Sequence, residues 1–266
     1  MMHFQTDNLT QNLVALAHHY DHGDCEPLHT HTTTQLLHTI SGVLRIDTPS
    51  GSWVVPPGRG LWIPAGIEHS LQATGSVEVR TLFLDPLARA DLPGECGVFS
   101  VSPLLRELIV AAVDIPNQVK PGSRDERLVE LILDELRSLP LLGFHVPVAR
   151  DKSLHQLCDT ITQRIDHPWS ISDAAQLLNV SERTVSRKFH QQLGLNFGEW
   201  LRRQRLLRSM ELLAAGHSVI EAALAVGYES PGAFSQVFKS RVGLSPTEYL
   251  QTPASDVDLG TPAPAS

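Results

Sequence analysis

The stretch ISDAAQLLNVSERTVSRKFH, residues 171–190, combines a short apolar-periodic segment, a turn, and a second helical segment that begins with a serine. Apolar residues three and four positions apart predict one buried face on each helix. A second stretch of the same form, VIEAALAVGYESPGAFSQVF, follows at residues 219–238. Two helices joined by a short turn are typical of the helix-turn-helix motif, whose second helix enters the major groove of DNA. The chain is therefore expected to carry two such motifs.

The second helix of the first motif has a polar, cationic face. Val185 and Phe189 are four residues apart, so they share the side of the helix that is predicted to be buried. The opposite side carries Arg183, Ser186, Arg187 and His190. Side chains of these types suit base edges and phosphates. The alternative is an ordinary amphipathic helix with a solvated outer face.

The second motif repeats the arrangement with fewer charged groups. Its second helix turns Phe234, Val237 and Phe238 inward. The residues left outside are Gly232, Ser235, Gln236 and Lys239. The duplication of the whole motif favours DNA binding over a solvated face.

Composition sets the outer bounds on the class of protein. A chain of 266 residues with 42% hydrophobic and 19% charged residues is long enough for two globular domains. The formal net charge of −8 disfavours nucleic acid at first sight, because nucleic-acid binding usually needs a basic surface. The acidic excess lies in residues 1–150, with 10 Lys and Arg against 17 Asp and Glu, whereas residues 151–252 have 11 against 10. Local positive charge on the second domain therefore remains available for DNA.

Two absences indicate a cytoplasmic protein without a membrane segment. No apolar run is long enough to span a bilayer, and the first residues lack a basic segment followed by an apolar one. Cys25, Cys96 and Cys158 are isolated in sequence, which predicts reduced, structural thiols rather than disulfides or a zinc ribbon.

Residues 1–100 are dense in β signals. SGVLRIDTPSGSWVV and VEVRTLFL are rich in β-branched residues and are separated by Gly and Pro turns. An antiparallel sandwich or small barrel is expected here. With the helical second half, the predicted fold class is α+β.

Three histidines and a glutamine in this domain form a candidate binding site. His29, His31 and Gln35 share parity, so on one extended strand they would point to the same interior face. With His69 they would offer three imidazoles and one side-chain oxygen, which suit a divalent first-row metal ion. Gln35 is neutral, so the site lacks an anionic ligand. The alternatives are a pocket for an organic effector, or purely structural histidines. His38 has the opposite parity and is expected outside the pocket.

The spacing of these residues resembles the two motifs of the cupin superfamily. The first motif falls on Gly23, His29, His31, Gln35 and Gly42, and the second on Gly58, Pro64, Gly66 and His69. Gln35 stands where the family usually has Glu, and Ala73 where it usually has Asn. The resemblance implies a cupin-like effector-sensing domain. Many cupins are metal-dependent oxygenases or isomerases, so a cupin enzyme fused to a DNA-binding module is the rival function. The missing carboxylate and the two DNA-reading motifs favour a sensor, which is not an enzyme.

Residues 101–139 predict a helical connector. Leucine-rich stripes indicate helices over residues 102–113 and 123–139, and Ser123 with Glu126 predicts a capping box at the start of the second. These stripes pack on each other or on the β domain, or they form the seam of a homodimer. Pro140 and Pro147 then predict a linker over residues 140–152.

Residues 153–252 are predicted to form the helical DNA-binding domain. After a supporting helix at residues 153–166, a helix over residues 197–213 spans about 25 Å at 1.5 Å per residue. A rigid spacer of that length suits two recognition helices in successive major grooves, roughly 34 Å apart. Trp200, Leu201 and Leu207 are expected to pack into both motifs. The arginines at positions 202, 203 and 205 either contact phosphates or are solvated. The Pro- and Ala-rich tail, residues 253–266, is predicted to be disordered.

The ending VGYESPGAFSQVFKSRVGLSPTEYL makes this domain resemble the DNA-binding domain of the AraC/XylS family of transcription regulators. The resemblance implies base contacts at Arg183, Ser186 and Arg187 in the first recognition helix. In the second it implies Pro231, Gly232, Ser235 and Gln236. Neither Pro231 nor Gly232 has a hydrogen-bonding side chain, so the second helix should read fewer bases than the first.

Together these features predict a one-component switch. A small molecule or a metal ion in the cupin-like pocket would change DNA affinity through the connector. The expected partners are double-stranded promoter or operator DNA, the effector, a second copy of the chain, and RNA polymerase if the protein activates transcription. A divalent metal ion is a possible cofactor.

Overall fold

The computed structural model describes residues 12–116, 118–137, 141–142 and 145–251. Its first half is an antiparallel sheet. The strands are β1 (Leu13–Tyr20), β2 (Cys25–His29), β3 (Thr34–Thr48), β4 (Gly51–Val55), β5 (Arg59–Ile63), β6 (His69–Leu84), β7 (Gly97–Ser100), β8 (Leu141–Leu142) and β9 (His145–Pro147). The second half is helical, so the expected α+β class is confirmed.

Two long strands organise the sheet. β6 pairs with β1, β2 and β3, while β3 pairs with β4, β5 and β6. The register between β3 and β6 shifts around residues 39–43, which bends both strands. Gly42 lies in that bend with φ +67°, a conformation that favours glycine. Of the predicted motif residues, Gln35 and Gly42 lie on β3 and His69 begins β6, so one continuous sheet connects the two motifs.

The connector helices pack on this sheet. They are α1 (Pro103–Ala112) and α2 (Arg124–Arg137). Leu105, Ile109 and Ile132 are fully buried in one cluster with Trp62 and Leu82 of the sheet. The buried residues of both helices therefore pack on the β domain, which is one of the arrangements that the sequence predicts.

The start of α2 differs in one detail from its prediction. The Ser123 hydroxyl accepts a hydrogen bond from the Glu126 amide (3.2 Å), as a capping box requires. The Glu126 carboxylate, however, accepts the amide of Gly122 at 2.6 Å. The second hydrogen bond of the predicted capping box therefore comes from the amide of Gly122, one residue before Ser123.

The linker predicted at residues 140–152 contains sheet structure instead. β8 pairs with β7, and β9 pairs with β4 through Gly51↔Pro147 and Trp53↔His145. The edge of β4 offers unpaired backbone groups that an extended segment can satisfy. Proline does not prevent this pairing, because Pro147 is at the end of an edge strand.

The helical domain follows at once. Its elements are α3 (Lys152–Gln163), α4 (Ile171–Leu178), α5 (Glu182–Leu193), α6 (Phe197–Ala214), α7 (Val219–Ala225), α8 (Pro231–Val242) and α9 (Pro246–Gln251). Helices α4 and α5 form the first predicted motif, and α7 and α8 form the second. The spacer helix α6 begins where predicted and ends one residue later. Trp200, Leu201 and Leu207 are buried in the core of this domain, as expected.

Caps define the helix ends. Ser218 and Glu221 form a reciprocal capping box at α7, and Ser230 caps α8 with Pro231 at its first turn. Ser170 and Asp173 form a further capping box at α4 that the sequence reading missed. Among the described helices, none has both the length and the apolar character of a membrane span. The predicted disordered tail lies outside the described residues.

Candidate functional site

The three candidate histidines meet in space. His29 ends β2, His69 begins β6, and the two pair directly in the β2–β6 register. His31 lies in the loop before β3. Ring centroids are 4.3 Å apart for His29 and His69, and 4.9 Å for His29 and His31. Ligand nitrogens of all three rings lie within 4.8 Å of one another.

The structural arrangement that brings the three histidines together differs from the predicted one. His29, His31 and Gln35 do not share a strand, because the chain is not extended as a strand at residues 30–33. Strand parity therefore cannot align them. Pairing of β2 with β6 brings His29 to His69, and the intervening loop delivers His31 to the same place.

Backbone carbonyls hold two of the rings in place. His29 Nδ1 is 2.7 Å from the Pro27 carbonyl oxygen, and His69 Nδ1 is 2.9 Å from that of Ile67. When Nδ1–H donates to a carbonyl, Nε2 keeps its lone pair, as in metal-binding histidines. Nε2 of His69 is buried and has no hydrogen-bond partner among the described residues. Burial lowers the pKa of His69 to about 4, so its imidazole is neutral at pH 7.

Gln35 lies on β3 opposite Phe83 of β6. The Phe83 ring in turn contacts His31, with centroids 5.2 Å apart. Gln35 is 7% exposed, and its Oε1 has no hydrogen-bond partner among the described residues. His38 is not a member of the histidine cluster. Instead it is 1% exposed, and its Nδ1 lies 3.1 Å from the Arg59 carbonyl oxygen.

One neighbour of the cluster was missed by the sequence reading. Oε2 of Glu26 lies 3.7 Å from Nε2 of His29. Positions 26 and 29 have opposite parity, so a regular strand would separate them. Pro27 lies between them, and proline within a strand is typical of edge strands and bulges, which is a local signal for the irregularity that joins them.

The donor set fits a divalent first-row ion. Three neutral imidazoles form a typical set for zinc and related metals, with His–Zn bonds of about 2.0–2.1 Å. Nε2 of His69 and Oε1 of Gln35 are both acceptors buried without a partner among the described residues. Buried acceptors of this kind need a cation or a donor to offset their desolvation. His29, His31 and His69 would hold the ion.

The predicted DNA-reading positions lie on the surface of the helical domain. On α5, Val185 and Phe189 are fully buried, as predicted. Arg183, Ser186, Arg187 and His190 are all exposed. On α8, Gly232, Gln236 and Lys239 are exposed, while Ser235 is half-buried. Each recognition helix thus presents its predicted outer face.

Several nearby cations bind protein groups instead. Lys188 Nζ lies 3.2 Å from an Asp151 carboxylate oxygen. Arg203 donates to the carbonyl of His145, and Arg205 to that of His167 at 2.8 Å. Among the described residues, no ion pair engages Arg183 or Arg187. The guanidinium groups of these two arginines are therefore exposed on α5 and lie outside the described ion pairs.

The sheet and the helical domain are in direct contact. Val43 of β3 and Val54 of β4 belong to the same apolar cluster as the helical core. Arg45 of β3 pairs with Glu211 of α6, with Nη1 and Oε1 3.4 Å apart. Nη2 of Arg59, on β5, donates to the Val242 carbonyl at the end of α8, at 3.0 Å. A hydrogen bond therefore joins α8, the second helix of the second motif, directly to β5.

Family comparisons agree with this architecture. Residues 11–158 match the model of an AraC-like ligand binding domain, and residues 174–252 match that of a helix-turn-helix domain. The HTH-type transcriptional regulator NimR of Escherichia coli is 30% identical over 224 residues, covering 84% of this chain and 82% of that protein. The probable transcriptional regulator LumQ of Photobacterium leiognathi is 23% identical, covering 83% and 90%. A structure of ToxT from Vibrio cholerae covers 92% of this chain and 100% of that chain, with 14% identity and a TM-score of 0.40.

A ligand-binding domain followed by a helix-turn-helix domain defines a DNA-binding transcription regulator that carries its own sensor. The chain belongs to the AraC family of these regulators, since the ligand-binding model spans more than half of it and NimR matches along most of its length. NimR is a transcriptional regulator, and LumQ is a probable transcriptional regulator.

Proposed function

We propose that this regulator senses a divalent first-row metal ion at His29, His31 and His69 and changes its DNA affinity in response. The observation that carries the proposal is the convergence of three imidazoles whose ligand atoms lie within 4.8 Å of one another. Two of the rings are oriented by backbone carbonyls in the manner of metal ligands. Bound metal adds positive charge at the junction of β2, β6 and the loop before β3.

A small organic effector with hydrogen-bond donors is the second candidate. The unpartnered acceptors of Gln35 and His69 support it equally well on hydrogen bonding alone. The short distances among the rings favour the ion, because little space separates the three imidazoles.

For DNA, we assign the larger share of base reading to α5. Arg187 would pair with a guanine edge, and Arg183, Ser186 and His190 would contact neighbouring bases or phosphates. On α8, Gln236 would pair with an adenine edge, with Ser235 and Lys239 beside it. Gly232 allows close approach of the backbone but carries no side chain to read a base. The exposure of these positions supports the assignment.

Signal transfer is proposed to run through the contacts between the sheet and the helices. Arg59 and Arg45 lie on strands that pair within the same sheet as His69. Their bonds to Val242 and Glu211 end on α8 and α6. A shift of β5 or β3 on ion binding would therefore reach the second motif without passing through the connector.

We also propose that the chain forms a homodimer. Leu104 of α1 and Leu131 of α2 are 50% and 41% exposed, and these leucines would lie in a homodimer seam. RNA polymerase would be a partner if the protein activates transcription. A role as a metal-dependent enzyme is not favoured, because the relatives are transcription regulators.

The test is selection of genomic DNA by the purified full-length chain with added Zn²⁺, Ni²⁺ or Co²⁺ and with a chelator. We expect one ion to change affinity for the selected fragments by about 5- to 150-fold, the usual range of coupling between two sites. His69→Ala should abolish the response while leaving basal DNA binding intact. His155→Ala, an exposed histidine on α3, is the matched control and should respond as the parent does. A chain that binds none of these ions would contradict the proposal.

A further inference from the structure

An irregularity in β2 places Glu26 beside the histidine cluster. In the β2–β6 ladder Glu26 pairs with Leu71 and His29 with His69, so three steps along β2 match two along β6. The extra residue is a β-bulge. Without it, Glu26 and His29 would face opposite sides of the sheet. With it, both side chains are half-buried, while the two residues between them are exposed.

A second strand holds the carboxylate in position. The hydroxyl of Tyr20, on β1, donates a hydrogen bond of 2.6 Å to Glu26 Oε1. Tyr20 is only 7% exposed. Burial, and the neighbouring Glu26 carboxylate, raise the pKa of Tyr20, so the phenol stays protonated and remains a donor. One carboxylate oxygen is thus fixed and the other points toward His29.

The remaining oxygen is close to coordination distance from an ion on His29. Glu26 Oε2 lies 3.7 Å from His29 Nε2. Two ligand atoms bound tetrahedrally to one ion at about 2.1 Å are about 3.4 Å apart. Glu26 stands beside the three-histidine group rather than within it, so its carboxylate has a small gap to close when the ion binds.

The carboxylate of Glu26 would supply the negative charge that three imidazoles lack. Three neutral imidazoles leave both charges of a divalent ion uncompensated in a partly buried site. Gln35, at the position where a carboxylate would be expected, cannot supply the missing negative charge. We propose that Glu26 is the anionic fourth ligand of the metal site, held by Tyr20, and that it takes the role absent at position 35. This inference rests on the proposed function.

Zn²⁺ binding to the full-length chain tests the assignment by competition with a chromophoric chelator, and Co²⁺ absorption reports the coordination. The parent should bind one equivalent. Glu26→Gln should weaken Zn²⁺ binding at least tenfold and change the Co²⁺ spectrum. The double variant Glu26→Gln with Gln35→Glu should recover part of the lost affinity. Tyr20→Phe should weaken binding less than Glu26→Gln does.

The matched control is Glu78→Gln. Glu78 likewise lies beside a histidine, with Oε1 2.8 Å from His19 Nδ1, but that exposed pair is outside the cluster. It should bind Zn²⁺ as the parent does. If the parent binds Zn²⁺ and Glu26→Gln binds it equally well with the same Co²⁺ spectrum, the role of Glu26 is refuted and the three-histidine site stands. If the parent binds no ion, both proposals fail. Circular dichroism of each metal-free variant verifies that it is folded.

Discussion

Arg45 and Glu211 join the sheet to the spacer helix, with Nη1 of the arginine 3.4 Å from Oε1 of the glutamate. Glu211 is 7% exposed although it is charged. Its other carboxylate oxygen accepts from Arg208 on the same helix at 2.9 Å. A buried carboxylate shared by two guanidiniums is a costly group to leave unpaired. The pairing therefore favours one relative position of β3 and α6.

Loss of this pair should weaken the coupling between metal and DNA. Arg45→Ala removes an interaction worth about 0.5–1 kcal/mol at its half-exposed position. We expect the ratio of DNA affinities with and without ion to fall about two- to fivefold. Gel-shift titrations of the parent and the variant measure that ratio. Arg208→Ala, which removes the partner of Glu211 within α6, should leave the ratio unchanged. An unaltered ratio in Arg45→Ala would exclude this pair as the route.

The helical domain was predictable because its signals are local. Ser218 and Glu221 have the three-residue spacing that is typical of a capping box, and both of its hydrogen bonds form. The sheet was less predictable because pairing joins distant residues. No local feature of residues 140–152 predicts that β9 pairs with the edge of β4. The prolines there pointed to a break in helix, which is correct, but not to the extended edge strand that replaced it.

The histidine cluster was predicted, but the reason given for it was wrong. Parity along one strand grouped His29 with Gln35, whereas the cluster depends on the pairing of β2 with β6. Strand parity also placed Glu26, three residues from His29, on the opposite face, so Glu26 was not predicted near the cluster. The β-bulge between Glu26 and His29 reverses the parity of the residues on either side of it. Local sequence therefore identified the three histidines that meet in space and missed one neighbour.

Arg187 should determine sequence preference. It is exposed on α5 and has no ion-pair partner among the described residues, so it is available for a guanine edge. Arg187→Ala should cost about 1–3 kcal/mol on the selected site, or roughly 5- to 150-fold in affinity. Non-specific binding should fall much less. Competition gel shifts with selected and scrambled DNA measure the difference. Arg124→Ala, an exposed arginine on α2, should bind as the parent does. Retained preference in Arg187→Ala would contradict the assignment.

Two glycines with positive φ should differ in their tolerance of a side chain. Gly58 has φ +74° and open space where an added Cβ would lie, so Gly58→Ala should cost about 1–2 kcal/mol from backbone conformation alone. Gly42 has φ +67°, but a Cβ there would lie 2.6 Å from the backbone oxygen of Ser76. Gly42→Ala should therefore lose clearly more stability than Gly58→Ala. Urea unfolding of both variants compares the losses, and equal values would refute the steric explanation.

His38 should make stability fall in mild acid. Burial lowers its pKa from 6.5 to about 4, and the positive charges of Arg106 and Arg80 act in the same direction. The unfolded chain takes up this proton below about pH 6.5, while the folded chain resists it down to about pH 4. Neutral His38 therefore contributes about 3 kcal/mol to the free energy of unfolding. This contribution is fully present above pH 6.5 and is lost as the pH falls toward 4. Buried His69 acts in the same direction.

The measurement is the free energy of urea unfolding between pH 7.5 and 4.5, with a chelator present so that metal does not contribute. His38→Gln removes the titrating group, so its unfolding free energy should fall less over this range than that of the parent. His155→Gln changes a half-exposed histidine and should follow the parent curve. Because His69 and the carboxylates still titrate, a residual slope is expected in His38→Gln. A slope equal to that of the parent would show that His38 does not control the acid response.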